Sequence, residues 1–130
     1  MKSIVIPCER FTLKTLVRDD VGNRYLSWIN GSNKSQYIEY SNKYRDESEI
    51  YSYIDSKNNK NNVLFLGIFS KNTNEHIGNI KYEPIDIDNK TAVMGILIGE
   101  KDWRGRGVAS EVIKSSSKWL NKKYSINQIA

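Results

Sequence analysis

The sequence has one cysteine, Cys8, so an intrachain disulfide is excluded. It also has one histidine, His76, set near a turn without a partner, which leaves a metal site unsupported and points to a surface or strand-start role. No apolar run approaches the roughly 18 residues that a membrane-spanning helix needs. The apolar patch ahead of Pro7 is only Ile4-Val5-Ile6, too short for a secretory signal. Internal repeats and an internal linker are absent as well. These absences predict a cytoplasmic chain with no membrane partner.

What is present suffices for a folded domain. A length of 130 residues fits one domain, residues 1–130, and leaves no room for two ordinary ones. Hydrophobic content of 38% and aromatic content of 11% argue against disorder. The formal charge of +5 and a pI near 9.3 suit a polyanionic partner, either nucleic acid or a smaller phosphate-bearing molecule. The lysines, however, are scattered among asparagines, as in Ser56-Lys57-Asn58-Asn59-Lys60-Asn61-Asn62. Without a concentrated basic footprint, nucleic acid is not the expected partner.

Along the chain, residues 11–16 alternate as a first strand. A helix follows, with Asp19 and Asp20 as capping oxygens, Val21, Tyr25, Trp28 and Ile29 on its core face, and Asn30-Gly31 as its stop. A second helix starts at the capping box Asp46-x-x-Glu49 and carries Ile50, Tyr53 and Ile54 inward. Residues 63–69, 77–83 and 91–98 read as three strands joined by turn-rich segments, an antiparallel meander. A helix over about 107–122 then forces a crossover, so residues 125–130 return as a parallel strand. Val108, Val112 and Trp119 form that helix's stripe, flanked by Ala109, Ile113 and Leu120. The fold class is α/β with a mixed sheet.

The chemistry concentrates in residues 95–114, GILIGEKDWRGRGVASEVIK. Orphan N–H groups and the positive dipole end of a helix start attract an anion, and glycines let the backbone approach it. Arg104 and Arg106 add charge able to pair with phosphate oxygens. The segment therefore reads as a phosphate or pyrophosphate cradle; its structural alternative is a tight strand-to-helix turn with two solvated arginines. A P-loop is excluded by spacing and by the missing lysine. A dinucleotide fingerprint is a weak alternative, because Gly105-Arg106-Gly107-Val108-Ala109-Ser110 ends in serine. The remaining pattern, [QR]-x-x-G-x-[GA], is met by Arg104-Gly105-Arg106-Gly107-Val108-Ala109 behind a strand and ahead of an amphipathic helix.

That pattern in that setting resembles the GNAT acetyltransferase superfamily, and the order of elements resembles the first two-thirds of its fold. Trp28-Ile29-Asn30, Tyr37-Ile38-Glu39 and the run from Ala92 into Trp103-Arg104-Gly105-Arg106-Gly107 are most similar to the branch that acetylates ribosomal-protein N-termini, polyamines and amino sugars. The resemblance implies acetyl-CoA as donor, no metal, and a small-molecule or peptide amine as acceptor. It implies that main-chain groups of Leu97, Ile98 and Gly99 hold the pantetheine arm, and that Arg104, Gly105, Arg106, Gly107, Val108, Ala109 and Ser110 hold the pyrophosphate.

Direct attack requires an amine that has lost its proton, and an alkylamine with a pKa of about 10.4 is mostly charged at neutral pH. Some relatives carry a glutamate for this on the fourth strand of the family fold, where this sequence has Val93. Glu39 and Glu83 are the remaining acidic candidates, with Tyr37, Glu39 and Tyr40 as acceptor-pocket residues; each also reads as simply solvent-facing. The family fold normally continues past its fifth strand with a helix and two strands that complete the groove. This sequence ends at Ala130, which implies a fragment, a groove completed by a partner chain, or a scaffold that binds acyl-CoA without turnover. The terminal strand's open edge suits a homodimer.

Overall fold

The computed structural model describes residues 3–30 and 46–130. Six strands form one sheet in the order β1-β2-β3-β4-β5-β6, with β1 at Val5–Pro7, β2 at Phe11–Thr15, β3 at Leu64–Ser70, β4 at His76–Asp86, β5 at Thr91–Ile98 and β6 at Gln128–Ile129. The helices among the described residues are α1, Asn23–Asn30, α2, Glu47–Asn58, and α3, Val108–Tyr124. All strand pairs are antiparallel except β5 with β6. The α/β class, the meander and the parallel return across α3 agree with the sequence reading.

The differences have local causes. Strand β1 was not expected, because three residues are too few to show a period; it exists by pairing Val5 with Lys14 and Pro7 with Thr12 at the sheet edge, where proline costs no ladder bond. Asp19 and Asp20 do not cap α1. They sit in a 3-10 turn, Arg18–Asp20, where Asp20 Oδ2 accepts from the Val17 N–H at 2.9 Å, and α1 begins after Gly22. Strand β4 runs longer than expected, and its ladder shifts register between Tyr82 and Ile85, around Pro84. The α3 stripe is Val108, Val112, Ser116 and Leu120, with Trp119 packed at its margin.

The sheet separates two cores. One face holds α3 against Phe11, Leu13, Leu66, Ile80 and Tyr82. Inside it Tyr82 Oη and Ser116 Oγ lie 2.7 Å apart, both groups buried. The other face holds α1 and α2 against Leu16, Phe65 and Leu97. There Trp28 and Tyr25 are each 1% exposed, and burying aromatic rings of this size stabilises the fold by about 1.5–3 kcal/mol each. The Asp46 capping box forms as expected: Asp46 Oδ1 accepts from the Glu49 N–H at 2.9 Å, and Glu49 reaches back to the Asp46 N–H.

Candidate active site

The end of β5, the 3-10 turn Lys101–Trp103 and the start of α3 form one continuous site. Gly105 and Gly107 have φ of +73° and +77°, a conformation costly for any residue with a Cβ. Gly107 is the N-cap of α3 and no side chain caps the helix; the Glu111 N–H makes the first return bond, to Gly107 O at 3.2 Å. The N–H groups ahead of Glu111 thus have no carbonyl of their own helix to meet, and the helix dipole adds positive potential.

The arginines flank this loop, each held by a backbone carbonyl. Arg104 Nε donates to Ile98 O at 3.0 Å, and Arg106 Nη1 donates to Asp102 O at 3.2 Å with its guanidinium 4.5 Å from the Trp103 ring centroid. A guanidinium has five N–H groups, so each keeps donors for a ligand. The loop is braced by a residue the sequence reading missed. Arg10 donates from its backbone N–H and from Nε to the two oxygens of Glu111, at 2.6 and 2.7 Å, and from Nη2 to Arg106 O at 3.0 Å. Partial burial would raise the Glu111 pKa, but the hydrogen bonds and charge of Arg10 outweigh it and hold the carboxyl below the usual range. An acid in the first turn of α3 is visible in the sequence; its partner in β2's approach is not.

Strand β5 presents alternate residues to its two neighbours. The Gly99 N–H donates to Ile77 O at 2.9 Å, which makes Gly99 opposite Ile77, and by alternation Leu97 opposite Asn79, hydrogen-bonded pairs with β4. On the other edge the Met94 N–H donates to Ala130 O at 2.9 Å, and β6 pairs with β5 only at Thr91 and Ala92. Ile96 and Ile98 therefore turn their main-chain groups to the edge that β6 leaves uncovered. Of the three residues expected to offer main-chain bonds, Ile98 faces that edge, with its carbonyl accepting from Arg104, whereas Leu97 and Gly99 face β4. Ile96 was missed.

Gly99 has a different role. A Cβ there would lie 2.1 Å from Trp28 Cδ2, so the glycine lets α1 pack directly on the end of β5. Trp28 Nε1 then donates to Glu100 Oε2 at 2.7 Å, and Arg24 pairs with both Glu100 and Glu75. His76 starts β4, as expected, but it has partners. Its ring stacks on Phe69 with centroids 4.8 Å apart, meets Trp28 and Tyr25 edge-on, and contacts Asn79 Oδ1 through Nε2 at 2.7 Å. Burial lowers its pKa despite the Asn79 contact. Asn79 is fully buried, and its Nδ2 has no acceptor among the described residues.

Among the acidic candidates, Glu83 lies on β4 facing α2, where it pairs with Lys57 at 2.8 Å and Lys81 at 3.4 Å. Partial burial would raise its pKa, but the hydrogen bond and charge of Lys57, with Lys81, hold it below the usual range. Glu39, Tyr37 and Tyr40 lie outside the described residues. Val93 is 49% exposed, and no group of three or more His, Cys, Asp or Glu residues able to hold a metal occurs among the described residues. Nor is any described helix long and apolar enough to cross a membrane.

The acetyltransferase (GNAT) domain profile matches residues 10–130, from the bracing arginine through the glycine loop to the end of β6. The chain belongs to the GNAT acetyltransferase family. As a GNAT domain it is an N-acetyltransferase, and that family uses acetyl-CoA. The fold agrees with solved structures. An acetyltransferase from Bacillus anthracis is 16% identical with a TM-score of 0.77 over 97% of this chain and 71% of that one. An enzyme from Salmonella typhimurium that modifies the N-terminal serine of ribosomal protein L7/L12 is 15% identical, with a TM-score of 0.71 over 93% and 70%. A spermidine N-acetyltransferase from Vibrio cholerae, in complex with CoA and spermine, is 18% identical, with a TM-score of 0.74 over 92% and 69%. No curated protein sequence matches the chain significantly. The GNAT domain's uncapped helix start, paired positive-φ glycines and flanking arginines fit the diphosphate of CoA, and the β5 edge that β6 leaves unpaired among the described residues fits an amide-bearing arm.

Proposed function

We propose that residues 1–130 act as one domain that transfers acetyl from acetyl-CoA to a primary amine by direct attack. The observation that carries this reading is the juxtaposition of the glycine loop at the start of α3 with the stretch of β5's main-chain edge that, among the described residues, β6 leaves unpaired. In this reading bound acetyl-CoA supplies the thioester. The backbone of residues 105–110, with Arg104 and Arg106, holds the diphosphate oxygens, and the outward groups of Ile96 and Ile98 align the pantetheine arm like an added strand. The amine nitrogen bonds to the thioester carbonyl carbon, the carbon–sulfur bond breaks, the amine loses a proton and the thiolate gains one. Strand-end N–H groups polarise that carbonyl.

Glu39 is the proposed recognition group for the amine. Glu83 is a base candidate, although its lysine partners hold it ionised and lower its basicity. The acceptor is a small-molecule or peptide amine, in line with the protein and polyamine acceptors of the neighbouring structures.

Calorimetric titration with acetyl-CoA, beside an Arg104→Ala/Arg106→Ala variant, tests the reading. The affinity of the variant is expected to fall by at least about tenfold, the worth of one charge-assisted contact. Unchanged affinity would remove the loop from the donor site. Binding by the wild-type chain without CoA release across an amine panel would favour a non-catalytic acyl-CoA-binding domain.

A further inference from the structure

The described arginines are held in two ways. Arg10 pairs with Glu111, Arg18 with Asp55, and Arg24 with both Glu75 and Glu100. Arg106 has no carboxylate partner among the described residues; it is held by a carbonyl and a ring. Its Nη1 donates to Asp102 O at 3.2 Å, and its guanidinium carbon stands 4.5 Å from the Trp103 ring centroid. A carboxylate would fix this cation but would also neutralise it and occupy its donors. An indole face attracts a guanidinium electrostatically, leaves its net charge in place and takes up none of its five N–H groups. Arg106 is thereby fixed and still able to meet an anion.

The ring is itself anchored. Trp103 closes the 3-10 turn Lys101–Trp103, where its N–H donates to Glu100 O at 3.1 Å. Its indole meets the Phe11 ring edge-on, with centroids 5.1 Å apart and planes at 72°, and Phe11 is fully buried in the core beneath α3. A line of contacts therefore runs from that core through Phe11 and Trp103 to the guanidinium beside the glycine loop. The backbone of the same residue is tied as well, since Arg10 Nη2 donates to Arg106 O at 3.0 Å. An arginine side chain that is free before binding loses rotamer freedom when a ligand captures it, and fixing it beforehand removes that cost. Arg104 is held by one bond, from Nε to Ile98 O, and has no such ring among the described residues.

We propose that Trp103 is a positioning residue for the diphosphate of acetyl-CoA and acts through Arg106 alone. This inference rests on the acetyl-CoA reading of the glycine loop. The indole makes no bond to the ligand; it holds the Arg106 guanidinium beside the uncapped start of α3, so the cation meets the diphosphate without first having to be ordered.

The test is calorimetric titration of residues 1–130 with acetyl-CoA, with Trp103→Leu made in the wild-type, Arg104→Ala and Arg106→Ala backgrounds. In the wild-type background Trp103→Leu is expected to weaken binding about two- to fivefold, the worth of a partly exposed cation–π contact, and Trp103→Tyr to restore most of the loss. The same cost is expected beside Arg104→Ala, and no further cost beside Arg106→Ala. In the ligand-free chain, NMR should find the Arg106 Hδ protons moved upfield by the indole ring current, and Trp103→Leu should return them to ordinary positions. A loop merely disordered by loss of the indole would weaken binding in both arginine backgrounds, so a full cost of Trp103→Leu beside Arg106→Ala would overturn the proposal. Unshifted Arg106 protons in the wild-type chain would do the same. Failure of the donor-site reading looks different. Acetyl-CoA that does not bind, or binds equally well to Arg106→Ala, would remove that reading and this one together, whereas weakened Arg106→Ala with unaffected Trp103→Leu would overturn the role of Trp103 alone.

Discussion

Arg10 and Glu111, 101 residues apart in the chain, are joined by two hydrogen bonds that fill both oxygens of the carboxylate. The third arm of Arg10, to Arg106 O, ties this pair to the glycine loop. Arg10→Ala is expected to weaken acetyl-CoA binding roughly three- to tenfold by loosening that loop, the scale of one lost hydrogen bond, as calorimetry would register. Affinity equal to wild type would show that the loop holds its shape without the brace.

The same pair gives a pH dependence. The Glu111 pKa is depressed in the folded chain, so its contribution is fully present above the ordinary glutamate value of about 4.3 and is lost as pH falls through the folded value. Thermal melts of Glu111→Gln should show lower stability at neutral pH and a shallower decline in acid. A decline parallel to that of wild type would mean the carboxylate gains nothing from Arg10.

His76 titrates nearer neutrality. Burial depresses its pKa, so the folded chain favours the neutral ring, and its stabilising effect is full above about 6.5 and fades as pH falls through the folded value. The melting temperature should decrease from pH 7 to pH 5, and His76→Phe should flatten that slope while keeping the aromatic contacts. Identical slopes in the two proteins would assign the acid sensitivity elsewhere.

Gly99→Ala is expected to destabilise by about 1–3 kcal/mol in urea unfolding, because overpacking forces a buried ring to move. The new methyl would meet Trp28 Cδ2, Cε2 and Cγ at 2.1, 2.2 and 2.6 Å, with Trp28 only 1% exposed. A cost near zero would show that α1 slides freely on the end of β5.

In the other core, Ser116 Oγ donates its single proton to Val112 O at 2.6 Å, so the Tyr82 hydroxyl must donate to Ser116. Tyr82→Phe then removes a donor but leaves Ser116 bonded, at a cost of about 1 kcal/mol. Ser116→Ala strands a buried tyrosine hydroxyl and should cost more, about 1–3 kcal/mol. The reverse order in denaturant melts would overturn the assigned direction.

What the sequence determined by itself was whatever short spacings encode. The Asp46-x-x-Glu49 box, the glycines at positions 105 and 107 and the α3 period depend on neighbours a few residues apart, and the parallel return of the last strand follows from the helical crossover before it; each was legible. Tertiary structure decided the rest, because register and packing act between residues that no local pattern relates. Strand β1 exists only through β2. Arg10 meets Glu111 across the whole domain, and Lys57 meets Glu83 across 26 residues. The direction of each β5 amide likewise follows from one registered bond, Gly99 N–H to Ile77 O, which turned Ile96 rather than Leu97 toward the open edge. A strand's alternation is visible in its sequence, but which of its two edges each amide faces is set only when a neighbouring strand docks.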